Sequence, residues 1–335
     1  MDPNKRTAKT AVLWALGLLL AGSAEAGLSR FSPAARAERV PVILNTDIGD
    51  DIDDTWALVM LLKSPQLDLR LVTTTYGKAI YRARLICRIL EVAGRTDVPV
   101  GLGAGGTEGT GGQEPWVDQY KLESYPGKIY KDGTQALIDM VDGSSSPVTI
   151  VSIGPSTTVA AALEKRPEIA RRAFFVGMQG SVRRGYGGGP VGPEYNVKEN
   201  VPAAKKVLLA PWLKATITPL DTCGLVRLTG EHFRKLAEND DALVRALLEN
   251  YRIWAKKESV RELTESSVLF DTVAIYLALP GDAPLLRMEE LRIDVAAGGL
   301  TVIDPAGAKM SVATAWNDLD RYEDFLVSVL LTTTK

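Results

Sequence analysis

Val40-Pro-Val-Ile-Leu-Asn-Thr-Asp-Ile-Gly-Asp-Asp-Ile-Asp-Asp-Thr-Trp-Ala-Leu58 places five aspartates, Asp47, Asp50, Asp51, Asp53 and Asp54, within eight positions. Val40 to Leu44 reads as a buried strand, and Trp56, Ala57, Leu58 and Met60 open a helix. The acids therefore lie between a strand's carboxyl end and a helix's amino end, the edge where open α/β sheets bind ligands. Crowded carboxylates resist ionising beside one another. A fold tolerates them as a solvated helix-capping loop or around a cation. So apolar a preceding strand favours the cation, and an all-carboxylate site suits a hard ion such as Ca²⁺ or Mg²⁺.

Outward from this stretch, apolar runs alternate with helical ones. Strands are expected at Leu69–Thr75, Val98–Leu102, Pro147–Ile153, Ala173–Met178 and Ala215–Leu220. Helices are expected at Arg82–Ala93, Thr134–Val141, Thr157–Leu163 and Pro202–Leu209. This alternation implies an open, mostly parallel sheet flanked by helices on both faces. Past Asp221 the rhythm changes. One helix face carries Val244, Leu247, Leu248, Tyr251 and Trp254, and Val273–Leu279 lies on another. Leu291–Val295, Leu300–Ile303 and Met310–Ala313 then read as a small antiparallel C-terminal extension, closed by a helix over Asp320–Leu331.

Residues 1–37 read as a signal peptide. Lys5, Arg6 and Lys9 precede the apolar run Ala11–Ala21, and Ala24-Glu25-Ala26 and Ala35-Arg36-Ala37 offer cleavage after Ala26 or Ala37. The expectation is an exported protein, periplasmic or secreted, with no stable membrane anchor after cleavage. Residues 38–335 are long enough for a single domain with a large core. A net charge of -2 gives no basic footprint for nucleic acid. His232 is the only histidine, so a zinc site is not expected. Cys87 and Cys223 are the two cysteines; export permits a disulfide, and two buried thiols are the simpler reading.

Three further segments would converge on the same sheet edge. Val151-Ser152-Ile153-Gly154-Pro155 ends a strand, Pro193-Glu194-Tyr195-Asn196-Val197 alternates two polar groups, and Leu269-Phe270-Asp271-Thr272 precedes an apolar helix. An extended Glu194–Asn196 segment would point both side chains the same way. Asp271 alone could be an ordinary N-cap. Together with Asn45-Thr46-Asp47-Ile48-Gly49 and Asp53-Asp54-Thr55-Trp56-Ala57-Leu58, these segments resemble the inosine-uridine preferring nucleoside hydrolase family in order along most of the chain. The resemblance implies the Rossmann-like nucleoside hydrolase fold and Ca²⁺-dependent hydrolysis of a ribonucleoside's N-glycosidic bond. It implies that Asp47, Asp54, Asp271 and the Ile153 carbonyl hold the ion, and that Asp53, Glu194 and Asn196 bind the ribose. Asp47 would be the general base for the metal-bound water. The family commonly forms dimers or tetramers, a homo-oligomeric state carried here only by analogy.

The chain departs from the family pattern at three places. Asn45 stands where many members carry the first Asp, Lys78 where well-studied members place a sugar-binding Asn, and Phe270 where the leaving-group His stands. Tyr76, Lys78 and Glu114 are candidate proton donors on adjoining loops, and Tyr76, Trp116, Tyr186, Tyr251, Trp254 and Phe270 are candidates for base stacking. Competing readings are a hydrolase of another N-ribosyl compound and a non-catalytic nucleoside-binding envelope protein. A phosphatase reading of Asp51-Ile52-Asp53-Asp54-Thr55 is weaker, since Asp51 does not directly end the strand.

Overall fold

The computed structural model describes residues 39–333; the signal-peptide expectation for residues 1–37 lies outside them. Ten strands form one sheet: β1 (Val40–Thr46), β2 (Leu67–Thr74), β3 (Val100–Gly101), β4 (Ile129–Tyr130), β5 (Val148–Ser152), β6 (Ala173–Met178), β7 (Lys214–Thr218), β8 (Leu286–Val295), β9 (Thr301–Ile303) and β10 (Ala308–Trp316). Their spatial order is β4-β3-β2-β1-β5-β6-β7-β10-β8-β9. Pairing is parallel from β4 through β7 to β10, then antiparallel for β10–β8 and β8–β9. The expected antiparallel segment thus continues the main sheet.

The α-helices are α1 (Asp53–Leu62), α2 (Ala79–Val92), α3 (Glu114–Val117), α4 (Gly133–Asp142), α5 (Thr157–Lys165), α6 (Tyr195–Lys198), α7 (Val201–Leu208), α8 (Gly230–Ala237), α9 (Ala242–Trp254), α10 (Thr272–Ala278) and α11 (Leu319–Leu330). Their starts follow local chemistry. Asp132, Asn200, Asp241 and Asp318 each accept backbone N–H bonds as N-caps.

Strand alternation divides the core. Val42, Leu44, Val151 and Val176 pack on one face with residues of α1, α2, α9, α10 and α11. Ile43, Ile150 and Phe175 pack on the other, with α4, α5 and α7. Every residue of α1 is buried, because it touches α9, α10 and α11 as well as the sheet. The order of strands reverses between β1 and β5, so a crevice opens at their carboxyl ends.

Three differences from the sequence reading have physical causes. β3 is two residues long, pairing with β2 only at Val100 and Gly101. β8 begins at Leu286 rather than Leu291, since the polar run Arg287–Glu290 pairs with β10. Residues 194–196 are not extended: Glu194 caps α6 and turns the chain into a helix. Both cysteines are free and buried.

Candidate active site

A cleft of about 340 Å³ opens at the switch point, within the span of roughly 300–1,000 Å³ typical of small-molecule sites. Its lining gathers Asp47, Asp50, Asp51, Asp53 and Asp54 with Ile153, Met178, Tyr186, Glu194, Tyr195, Asn196, Trp254, Phe270 and Asp271. All seven residues expected at the site, Asp47, Asp53, Asp54, Ile153, Glu194, Asn196 and Asp271, therefore meet in one place. Met178, from the end of β6, was not anticipated.

The tightest acidic group is Asp53, Asp54 and Asp271, with one carboxylate oxygen of each within 4.8 Å of the others. Asp47 stands outside that trio in the same cleft. Asp53 and Asp54 occupy the first turn of α1, where the helix's positive end favours carboxylates. Asp271 holds the N-cap position of α10 yet makes no side-chain cap bond, which argues against the ordinary capping role. Burial pushes the Asp47 carboxyl up to about 7, opposed by Arg82 and reinforced by Asp50 and Asp51. Asp53, Asp54 and Asp271 are also pushed well up, first by burial and then by neighbouring carboxylates: Asp51 and Asp47 act on Asp53, Asp47 and Asp53 on Asp54, and Asp53 and Asp54 on Asp271. A cation would relieve both penalties at once. Buried, oxygen-only donors this close fit a hard divalent ion.

Position at the site is set by neighbours. Asn45 donates to Ser152 Oγ and accepts from Thr73, tying β1 to β5 and β2. Thr46 donates to Asp54 at 2.5 Å. Arg82 was missed in the sequence, although it lies on the apolar stripe of α2 with Leu85 and Ile86. A cation on a buried stripe opposite an acidic cluster was the available signal. Its guanidinium reaches the carbonyls of Asp47, Ile48, Tyr76 and Gly77 and the Asp50 carboxylate.

The sugar-side residues carry internal bonds as well. Glu194 accepts from the N–H groups of Gly180, Asn196 and Val197, and burial raises its carboxyl to about 7. Asn196 Nδ2 donates to the carbonyls of Ile153 and Met178, both at 3.1 Å. The two residues thus share the cleft through a capped turn, not through strand alternation.

Among the base-stacking candidates, Tyr186, Trp254 and Phe270 line the cleft; Tyr76, Trp116 and Tyr251 do not. The expected proton donors fare differently. Tyr76 donates to Glu199, Lys78 pairs with Asp50, and Glu114 pairs with Arg84; none lines the cleft. His232 pairs with Asp324 and Glu323 and is likewise absent from the lining. The glycine-rich segment 103–112 packs behind the acidic loop, where a Cβ at Gly111 would stand 2.2 Å from the Gly49 carbonyl oxygen. The phosphatase reading loses its geometry, since β1 ends at Thr46 and Thr55 is a buried α1 residue bonded to Gln113.

Comparison with known proteins bears on this arrangement. The profile of the inosine-uridine preferring nucleoside hydrolase family matches residues 42–324. The chain is 29% identical over 241 residues to the pyrimidine-specific ribonucleoside hydrolase RihA of Enterobacter sp. (strain 638), covering 65% of this chain and 73% of that protein. It is 24% identical over 311 residues to the probable uridine nucleosidase 2 of Arabidopsis thaliana, covering 87% and 90%. Among solved structures, a plant nucleoside hydrolase superposes with a TM-score of 0.73 at 23% identity, over 88% of this chain and 99% of that one. The purine-preferring ribonucleoside hydrolase of Gardnerella vaginalis gives 0.66 at 21%, over 88% and 100%. At these identities the superpositions establish the fold.

Proposed function

The chain belongs to the inosine-uridine preferring nucleoside hydrolase family, and on that premise we propose that it hydrolyses the N-glycosidic bond of ribonucleosides, giving ribose and free base. One observation carries this reading: a single cleft joins four buried carboxylates, Asp47, Asp53, Asp54 and Asp271, to the aromatic rings of Tyr186, Trp254 and Phe270. A ribose needs the oxygens, and a planar base needs the rings.

Asp47, Asp54, Asp271 and the Ile153 carbonyl would hold Ca²⁺, with Asp53 close enough to serve the ion or the sugar. When bound, the ion supplies charge that fixes and acidifies a water beside the anomeric carbon. Asp47 would take the proton of the attacking water as general base. Asp53, Glu194 and Asn196 hold the ribose hydroxyls, which aligns the anomeric carbon with the attacking oxygen. The remaining carboxylate charge favours the positive oxocarbenium character that develops as the bond breaks.

The experiment is a panel of purine and pyrimidine ribonucleosides with release of ribose and base followed in parallel. The expected result is turnover that stops on chelation and returns with Ca²⁺. Nucleoside binding without ribose release would instead favour the binding-protein reading.

Export is a separate proposal, supported by the basic start, the apolar run and the small-residue sites at Ala26 and Ala37. Expressed with its own amino terminus in a bacterium, the chain should reach the periplasm or medium with a new terminus after one of those alanines, leaving residues 38–335 as a single domain. An intact cytoplasmic product would overturn it.

A further inference from the structure

Phe270 leaves the departing base without the imidazole proton that the family resemblance implies. A neutral base leaves poorly as an anion, so some group in the cleft must protonate it. Several cleft-lining donors are already committed. Trp254 Nε1 donates to the Asp50 carbonyl at 3.1 Å, and Asn196 Nδ2 is bonded to two carbonyls. Two hydroxyls line the cleft, those of Tyr186 and Tyr195. The Tyr195 ring packs edge-on against Tyr76, with centroids 6.3 Å apart. The Tyr186 ring packs edge-on against Phe270, with centroids 6.2 Å apart and planes at 81°.

We propose that Tyr186 is the catalytic acid that protonates the departing base, an inference that rests on the nucleoside hydrolase reading above. Its oxygen accepts the Tyr195 backbone N–H at 3.2 Å, which leaves its own hydrogen free and stabilises the phenolate as the proton leaves. An ordinary phenol titrates at about 10 and so enters the reaction protonated at neutral pH; partial burial in the cleft and the Glu194 charge push this one up to about 12. Tyr186 is 54% exposed on a glycine turn whose Gly187 and Gly188 have φ of 59° and 78°. That backbone suits glycine and lets the ring meet an incoming base.

The step balances. The C1′–N bond breaks and its electron pair passes to the base, which takes the Tyr186 proton. Water adds OH to C1′ and gives its other proton to Asp47. Solvent then reprotonates Tyr186 and deprotonates Asp47, so nucleoside and water become ribose and neutral base.

The test compares Tyr186→Phe with the unaltered protein on ribonucleosides and on 4-nitrophenyl β-D-ribofuranoside, whose nitrophenolate departs without a proton. Nucleoside kcat should fall by roughly 10²–10⁴-fold, the usual contribution of general acid catalysis, while nitrophenyl riboside turnover changes by less than about threefold. A Tyr186→Phe protein that loses both turnovers equally, or neither, overturns the assignment. An unaltered protein that releases ribose from neither substrate overturns the hydrolase reading itself.

Discussion

The buried guanidinium of Arg82 donates through Nη1 to the backbone carbonyl of Asp47, so the acidic loop is anchored from the second helix of the fold. The same group bonds the Ile48 carbonyl at 3.0 Å, Gly77 at 2.9 Å and Tyr76 at 3.2 Å, and pairs with Asp50 at 2.8 Å. One cation therefore fixes two sheet-edge loops against each other. Tyr76 and Lys78 adopt left-handed φ of 56° and 50°, a strained backbone that persists where surrounding bonds hold it.

Arg82→Met tests this anchor. Methionine fills much of the volume but supplies no donor, leaving the carbonyls and the Asp50 carboxylate short of their partner. Asp50 is partly exposed and keeps Lys78, so the cost lies mainly in the buried carbonyls left without a donor, about 1–3 kcal/mol each. Denaturant unfolding should register a loss of that order. A loss below about 1 kcal/mol, the size of an ordinary substitution, would show that the loops hold themselves.

Gly154 controls the Asp47 carboxylate more directly. A Cβ at 154 would stand 2.3 Å from Asp47 Oδ1 and 2.9 Å from its backbone nitrogen. Gly154→Ala should therefore displace the proposed base. A shift near 1 Å costs roughly 10²-fold in rate, so kcat should fall by about that factor, with some loss of melting temperature because the Asp47 backbone must give as well. Near-native kcat would mean that the carboxylate has room to adjust without loss.

Much of this arrangement was legible in residue order. Val40–Leu44 is apolar without a break, and Val42 and Leu44 on one face and Ile43 on the other each found a core. Asp47, Ile153 and Asp271 follow strands or open helices, so the parallel sheet itself gathers them at one edge. The same rule failed at Glu194, where a carboxylate accepting several backbone N–H groups made a helical turn out of an expected extended segment. Arg82 was harder to read: its place on the buried stripe of α2 was the one signal, and most of its partners are main-chain carbonyls, which sequence does not label. Tyr76, Lys78 and Glu114 looked available only because their partners, Glu199, Asp50 and Arg84, were unknown before folding.

Asp47→Asn should separate chemistry from folding. The amide keeps one oxygen for an ion yet takes no proton from water. Turnover should fall by at least roughly 10²–10⁴-fold, the usual weight of general-base assistance. Because burial disfavours the ionised Asp47, the neutral amide should not lower the melting temperature of the cation-free protein at pH 8. Near-native turnover would remove Asp47 from the base role.

His232 gives a control on the acid. It pairs with Asp324 at 2.8 Å, outside the cleft lining. His232→Ala should leave the pH–rate profile unchanged near neutrality, where an imidazole titrates. Loss of a limb there would place the ring in the reaction after all.

The last expectation links pH, the ion and stability. In the cation-free protein Asp47 rises to about 7 and Glu194 to about 7, while Asp53, Asp54 and Asp271 rise well above the ordinary range. Unfolded carboxylates titrate near 4. Between roughly pH 4 and 7 the folded chain therefore holds protons that the unfolded chain has released, and stability falls as pH rises. The contribution is fully present below the unfolded pKa and is lost as pH climbs through the folded one. A bound cation takes over the protons' role, so its stabilisation should be small at pH 5 and large at pH 8. Melting temperatures with chelator should drop across that interval, and Ca²⁺ should restore them mainly at the upper end. An equal Ca²⁺ increment at both pH values would mean that the ion binds elsewhere than among these buried acids.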